Sequence, residues 1–255
     1  MPLILTPLQH VPMIRRDDNL ADIIVLSLHR TNIELQDNDI LVVAQKIVSK
    51  AEGRAVNLVT ITPSQRAVEL AQQVDKDPRI VELMLQESKE VIRTRPGTII
   101  VEHRLGFICA NAGIDHSNVA GTGDSAEEWV LLLPMEPDQS AEKMRSDIHS
   151  KTGKNVGVLI IDSHGRAWRN GTVGVAIGIA GLPGLVDLRG KPDLFDFTLR
   201  VTQIGAADEL AAGASLVMGQ AAEGTPVVHV RGFPYELREA SLNELLRPKE
   251  QDLFR

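Results

Sequence analysis

The apolar positions along the chain change period repeatedly, and each change marks an element. In NLADIIVLSLHR (residues 19–30) they recur at helical spacing, and Asp17, Asp18 and Asn19 offer oxygens for an N-cap. DNDILVVAQ (37–45) reads as a turn followed by a buried strand, and RAVNLVTI (54–61) as another strand. TPSQRAVELAQQV (62–74), with Thr62 as its cap, and PRIVELMLQES (78–88) return to helical spacing. Strands are predicted at EVIRTR (90–95), GTIIVEH (97–103), LGFICAN (105–111) and the wholly apolar WVLLLP (129–134). A helix follows over 137–153, stopping near Gly153, and then a buried strand, NVGVLIID (155–162). GTVGVAIGIAG (171–181) is small and apolar, and its repeated glycine predicts a strand packed close to other backbone. TQIGAADELAAGASLVMG (202–219) predicts a helix with a small-residue face, and TPVVHVRG (225–232) a last strand.

Helices and strands are mixed without the regular rhythm of βαβ units. Several strand pairs lie too close in sequence for a helical crossover, which favours antiparallel pairing. The expected fold class is α+β, with mixed, mainly antiparallel sheets and helices. Residues 1–255 read as a single unit, and GLPGLVDLRGKPDLFDFTLR (181–200) is the segment suited to a long excursion.

Composition narrows the function classes. Hydrophobic residues at 43% supply a core, and aromatics at 3% make it aliphatic and argue against base-stacking nucleic-acid modules. The net charge is −7 with no dominant basic cluster, so nucleic acid is not an expected partner. An acidic chain that binds an anion needs local lysines, metal ions or backbone N–H groups. The single Cys109 cannot form an internal disulfide and sits in an apolar run, which predicts a buried, inert thiol in a reducing compartment. No run of 18 apolar residues predicts a membrane span, and MPLILTPLQH lacks the pattern of a signal peptide. A cytoplasmic protein is expected.

The common catalytic motifs are missing: GxxxxGK[ST], GxGxxG after a strand, CxxC, HExxH and GxSxG do not occur. The positive signal is a pair of apolar runs that each lead to an aspartate, FICANAGIDHSN to Asp115 and VGVLIIDSHG to Asp162. Two such carboxylates about 4 Å apart at an effective dielectric of about 20 repel by roughly 4 kcal/mol. A divalent cation between them reverses the sign, and Mg²⁺ or Mn²⁺ suits carboxylates, waters and phosphates. Either Asp taken alone reads more readily as a turn cap; two with similar polar followers favour metal binding.

ILVVAQKIVSKAEGR (40–54) also runs from a buried strand into Gln45, Lys46, Ser49 and Lys50. A lysine at such a junction pairs with a phosphate or is simply solvated. In VMGQAAEGTPVV (217–228), Gln220 and Glu223 lie where Gly219 and Gly224 let a ligand approach, or where a helix merely ends. His103, His116 and His164 lack zinc spacing and read as hydrogen-bonding groups, and Trp168 as packing over its loop or facing a substrate.

Taken together, VPMIRRDDNL, DNDILVVAQKIVSKAEGR, FICANAGIDHSNV, LIIDSHGRAWRNGTVGVAIG, DLRGKPDLF and RVTQIGAADELAAGASLVMGQAAEGTPV resemble the coenzyme F-420:L-glutamate ligase (F-420-0:γ-glutamyl ligase) family. The stretches span nearly the whole chain in the family's order. The resemblance implies an α+β fold of two interlocked lobes, working as a homodimer. It implies a GTP-dependent enzyme that attaches L-glutamate to the terminal carboxylate of F-420-0 and then adds γ-linked glutamate, through an acyl phosphate. Asp115 and Asp162 would hold Mg²⁺ or Mn²⁺, with Ser163 and Gln220 contributing to a second ion and K⁺ as a further candidate. Val11, Pro12, Met13 and Ile14 would line the guanine-nucleotide site, Gln45, Lys50 and Asn118 would contact the nucleotide, and Gly219, Gln220, Ala221, Ala222 and Glu223 would close the pocket. Asp115, Asp162 and Lys50 would carry catalysis. The family often has Ser, Thr or His where Gln45 stands, and Thr where Ser163 stands. No C-terminal domain of the nitroreductase type is expected. Two other readings fit the residues: a metal-dependent phosphate hydrolase, and a non-catalytic deazaflavin-binding module.

Overall fold

The computed structural model describes residues 2–116, 119 and 128–253. Its centre is a five-stranded sheet in the order β1 (Ile4–Pro7), β12 (Val227–Arg231), β2 (Ile40–Ala44), β8 (Gly157–Arg166), β9 (Arg169–Ala180). Only β2 and β8 run parallel in this sheet; the other neighbours are antiparallel. Strands β2 and β8 are apolar at successive positions because both faces of the sheet are covered. Leu41, Val43, Val158 and Ile160 pack with Ile24 of α1 (Leu20–Arg30) and Ile148 of α5 (Pro137–Thr152). Ile40, Val42, Leu159 and Ile161 point the other way, onto Leu210, Ala211 and Ala214 of α6 (Ala206–Met218).

A second core forms where α3 (Gln65–Val74) and α4 (Pro78–Gln86) cover the antiparallel sheet β4 (Ser88–Arg95), β5 (Thr98–His103), β6 (Ile108–Ala110). The pair β3 (Ala55–Asn57) and β7 (Trp129–Leu131) packs beside α4. Of residues 181–200, the expected excursion, 181–184 stay buried with Leu182 in the core, and the surface run starts only after them; β10 (Val186–Asp187) pairs with β11 (Gln203–Ile204) at its base. The expected α+β class with mainly antiparallel pairing is what the chain adopts. Among the described residues no helix is long and apolar enough to cross a membrane.

Several boundaries differ from expectation for local reasons. Ser64, not Thr62, caps α3, accepting a hydrogen bond from the Ala67 N–H at 3.2 Å. Thr62 precedes Pro63 and is thereby pushed out of helical conformation. Strand β3 stops at Asn57 because the Asn57 side chain accepts from Val59 N and opens a 3₁₀ turn. The apolar WVLLLP stretch is a strand only to Leu131; the Leu132 N–H turns to the Arg54 carbonyl instead. Strand β8 does not end at Asp162 but continues to Arg166 as one arm of a long hairpin with β9.

The glycines of β9 do permit close approach. A Cβ on Gly174 would stand 2.5 Å from the Ala211 carbonyl oxygen of α6, and one on Gly178 would stand 2.7 Å from the Pro137 backbone of α5. At these two positions a helix therefore sits directly against the strand's backbone, α6 on one face and α5 on the other.

Candidate functional site

The parallel pairing of β2 with β8 sets Ala44 opposite Ile161. The next residues of both strands, Gln45 and Asp162, therefore emerge at the same sheet rim. Here the chain forms a cleft of about 620 Å³. Its walls come from residues 11–14, the start of α2 (Gln45–Ala51), the loop after β6, the outer part of β8 and the loop after α6.

The loop after β6 turns sharply because Asn111, Ala112 and Gly113 all adopt positive φ, at 53°, 52° and 64°. A Cβ on Gly113 would lie 2.7 Å from the Leu133 side chain, so glycine is needed there for space as well as for φ. Asp115 is then pinned by paired backbone bonds with Leu131 at 2.8 and 3.0 Å. Its carboxylate faces the cleft, where Gln45 Nε2 donates to Oδ2 at 2.8 Å and Lys46 Nζ lies 3.5 Å from the same oxygen.

The charges in the cleft press on one another. Burial raises the Asp115 carboxyl, Lys46 opposes that rise, and the nearby Asp162 charge adds to it. Burial also lowers the Lys50 ammonium, and Lys46 lowers it further. A ligand that brings a cation to Asp115 and an anion to Lys50 would relieve both groups. Cys109, behind the site, is buried, and burial together with Asp162 pushes its thiol up to about 12. It is inert, as its apolar setting predicts.

On the other wall, Ser163 Oγ donates to Gln220 Oε1 at 2.7 Å, although 57 positions separate them. Gln220 Nε2 in turn donates to Ser215 Oγ at 2.8 Å. Glu223 folds back to accept from the Ala221 N–H at 2.8 Å, and that contact lowers its carboxyl. Gly219 takes φ 77°, and a Cβ there would collide with the Glu223 carboxylate. Ala222 completes this loop on the cleft wall. Val11, Pro12, Met13 and Ile14 form the facing wall; Ile14 is buried in the core, whereas Met13 is 73% exposed.

Every expected site residue within the described chain thus borders the one cleft; Asn118 lies outside the described residues. Gln45 is 1% exposed, and its amide accepts from Ser49 Oγ at 2.9 Å while donating to Asp115. Lys46, at the strand-to-helix junction, and His164, expected as a hydrogen-bonding group, both stand beside the carboxylates. His164 Nε2 is 3.0 Å from Asp162 Oδ2, and the ring lies against Phe107, which stacks on His103. The signal for Lys46 was its place next to Gln45 at the strand-to-helix junction. Trp168 stands 86% exposed at the hairpin tip.

Among the described residues no three His, Cys, Asp or Glu side chains converge on one point. A metal held here would take the Asp115 and Asp162 carboxylates, the Ser163 hydroxyl, the Gln220 amide oxygen and oxygens from outside the protein. That all-oxygen donor set fits Mg²⁺ or Mn²⁺ rather than a soft transition metal.

The chain matches the family described as F420-0:Gamma-glutamyl ligase over residues 9–232. It is 44% identical to the coenzyme F420:L-glutamate ligase of Methanothermobacter thermautotrophicus over 257 aligned positions, covering 100% of both chains. It is 44% identical to that of Methanocaldococcus jannaschii over 87% of this chain and 86% of the relative. It is also 42% identical to that of Archaeoglobus fulgidus, over 98% of this chain and 95% of the relative. With a rim that gathers Asp115, Asp162, Lys50 and Gln220 into one cleft and a match of this extent, the chain belongs to the F420-0:γ-glutamyl ligase family.

Proposed function

We propose that this protein is a ligase that uses GTP to join L-glutamate to the terminal carboxylate of coenzyme F420-0 and then adds γ-linked glutamate. The relatives' name supports the reaction class. The observation that carries the reading is the convergence of two carboxylates and two lysines, from segments far apart in sequence, on one cleft.

A carboxylate does not condense with an amine in water unless it is activated. In the proposed sequence an oxygen of the acceptor carboxylate attacks the γ-phosphorus of GTP. The bond from that phosphorus to the β–γ bridging oxygen breaks, and GDP leaves with the electron pair. The glutamate amine then attacks the acyl carbon of the resulting acyl phosphate, phosphate departs, and the amine proton passes to solvent. Lys50 and Lys46 offset the phosphate charge. Asp115 and Asp162, with Ser163 and Gln220, would hold Mg²⁺ or Mn²⁺; K⁺ is a further ion of this reading. A divalent ion held by these residues would supply charge screening between the acceptor carboxylate and the triphosphate. Residues 11–14 and 219–223 enclose the nucleotide. Positioning and charge neutralisation suffice, so no nucleophilic side chain is needed. The working unit in this reading is a cytoplasmic homodimer, which light scattering on the purified chain tests for assembly.

The deciding experiment is mass spectrometry of F420-0 after incubation with the protein, L-glutamate, GTP and Mg²⁺ or Mn²⁺. The expected product is heavier by one or more glutamyl units and does not form without GTP or metal. GTP consumed with no change in coenzyme mass would instead identify a phosphate hydrolase. Coenzyme bound with neither change would identify a binding module.

A further inference from the structure

The outer part of the β8–β9 hairpin leaves the body of the protein. Residues 165–172 are all exposed, yet the ladder persists, with Gly165 opposite Thr172 and Arg166 opposite Arg169. Gly165 and Thr172 at its base still border the cleft. The arm is therefore a continuation of the cleft wall that carries Asp162 and Ser163. Its tip begins five residues past Asp162, about 17 Å at the rise of a strand.

Ala167 and Trp168 make the two-residue turn at that tip. Trp168 takes φ 63°, a conformation that glycine or asparagine adopts far more readily. A bulky indole is thus held in a strained turn, 86% exposed, in a chain with only 3% aromatic residues. Strain of this kind clusters where a side chain is needed for function. Arg166 and Arg169 flank it, a local positive patch on a chain of net charge −7. Arg166 Nη1 donates to the Gly171 carbonyl at 3.1 Å, which ties the guanidinium to the arm.

The described residues that line the cleft include no Phe, Tyr or Trp, so the cleft itself offers no such ring to a flat heteroaromatic ligand. On the reaction proposed above, the acceptor places its carboxylate at Asp162 and must seat its deazaflavin ring some distance away. We propose that the hairpin tip is the subsite for that ring, with Trp168 stacking on its face and Arg166 and Arg169 attracting the anionic acceptor. This inference rests on the ligase reading for the identity of the acceptor.

The test uses the purified full chain and F420-0, followed by fluorescence polarisation of the coenzyme. GTP binding is measured calorimetrically in the same variants. Trp168→Gly is expected to raise the dissociation constant for F420-0 by about tenfold, as loss of one stacked aromatic face does. It should leave GTP affinity unchanged and the melting temperature equal or higher, because glycine relieves the turn. Trp168→Phe should restore most of the affinity. Unchanged F420-0 binding in Trp168→Gly, or a loss that falls on GTP instead, overturns the subsite. A wild-type protein that glutamylates F420-0 while Trp168→Gly binds it equally well overturns the subsite alone. A wild-type protein that fails to bind F420-0 overturns the ligase reading as well.

Discussion

Asp115 concentrates the chemistry of the cleft in one side chain. Its ionised form is held against burial and against the charge of Asp162, with Lys46 and Gln45 in partial compensation. Asp115→Asn keeps the shape and an acceptor for Gln45 but removes the charge. Since the buried charge opposes folding, the melting temperature should hold or rise while turnover falls by orders of magnitude. Calorimetry and the glutamylation assay together check both halves, and near-normal turnover would remove Asp115 from the metal set. Gln45→Ala should act differently. It strips partners from Asp115 and Ser49 at once, and burying such groups unpaired costs about 1–3 kcal/mol. Chemical denaturation measures that loss, and Gln45→Glu would not restore it, because a second carboxylate beside Asp115 adds repulsion.

Among the elements, α6 and β9 determine the shape of the site more than any single ligand. Ala211 and Ser215 of α6 meet Gly174 of β9, and the loop after α6 carries Gly219 to Glu223 to the cleft. Gly174→Ala would drive a methyl group into the Ala211 carbonyl, with backbone on both sides and no flexible side chain to yield. The expected cost is roughly 2 kcal/mol, with a displaced α6 and weaker nucleotide binding. Urea unfolding and GTP titration should move together; a stable variant with normal GTP affinity would show that α6 can shift without moving the loop. The left-handed turn at residues 111–113 is the other such device, since it alone redirects the chain from β6 towards Asp115.

For the whole molecule, two buried acidic groups tie distant segments and set its response to acid. Asp39 accepts from His229 and Arg231, joining β2 to β12, and these contacts outweigh burial to hold its carboxyl well below the usual range. Burial would raise Glu87, but the His103 ring at 3.7 Å and the guanidinium groups of Arg54 and Arg104 bring it to about 2. A carboxyl lowered in the folded state adds stability above its unfolded value, and that stability is lost as pH falls through the folded value. The protein should therefore lose stability between about pH 4.5 and pH 2, with Glu87 contributing on the order of 3 kcal/mol of that change. Burial raises Asp138 and Asp208, so those groups work in the opposite sense. Urea midpoints across this range should fall in the wild type, and the slope should be shallower in Glu87→Gln.

The sequence by itself determined the elements whose causes are local. Periodicity located α1, α5, β2 and β12, and strand spacing set the α+β class, because side-chain alternation and capping act within a few residues. It also marked the polar segments that reach the cleft, since buried runs that break into Asp, Lys and Gln are visible in one dimension. Only the tertiary structure decided which of these meet. The parallel register of β2 and β8 brings Gln45 to the rim of Asp162, and the packing of α6 on β9 brings Gln220 to Ser163. The same holds for the continuation of β8 beyond Asp162, where exposed residues carry no hydrophobic alternation and only the ladder with β9 keeps them extended. Contacts between residues so far apart depend on strand register and helix crossing, which the whole chain's packing selects and no short segment encodes.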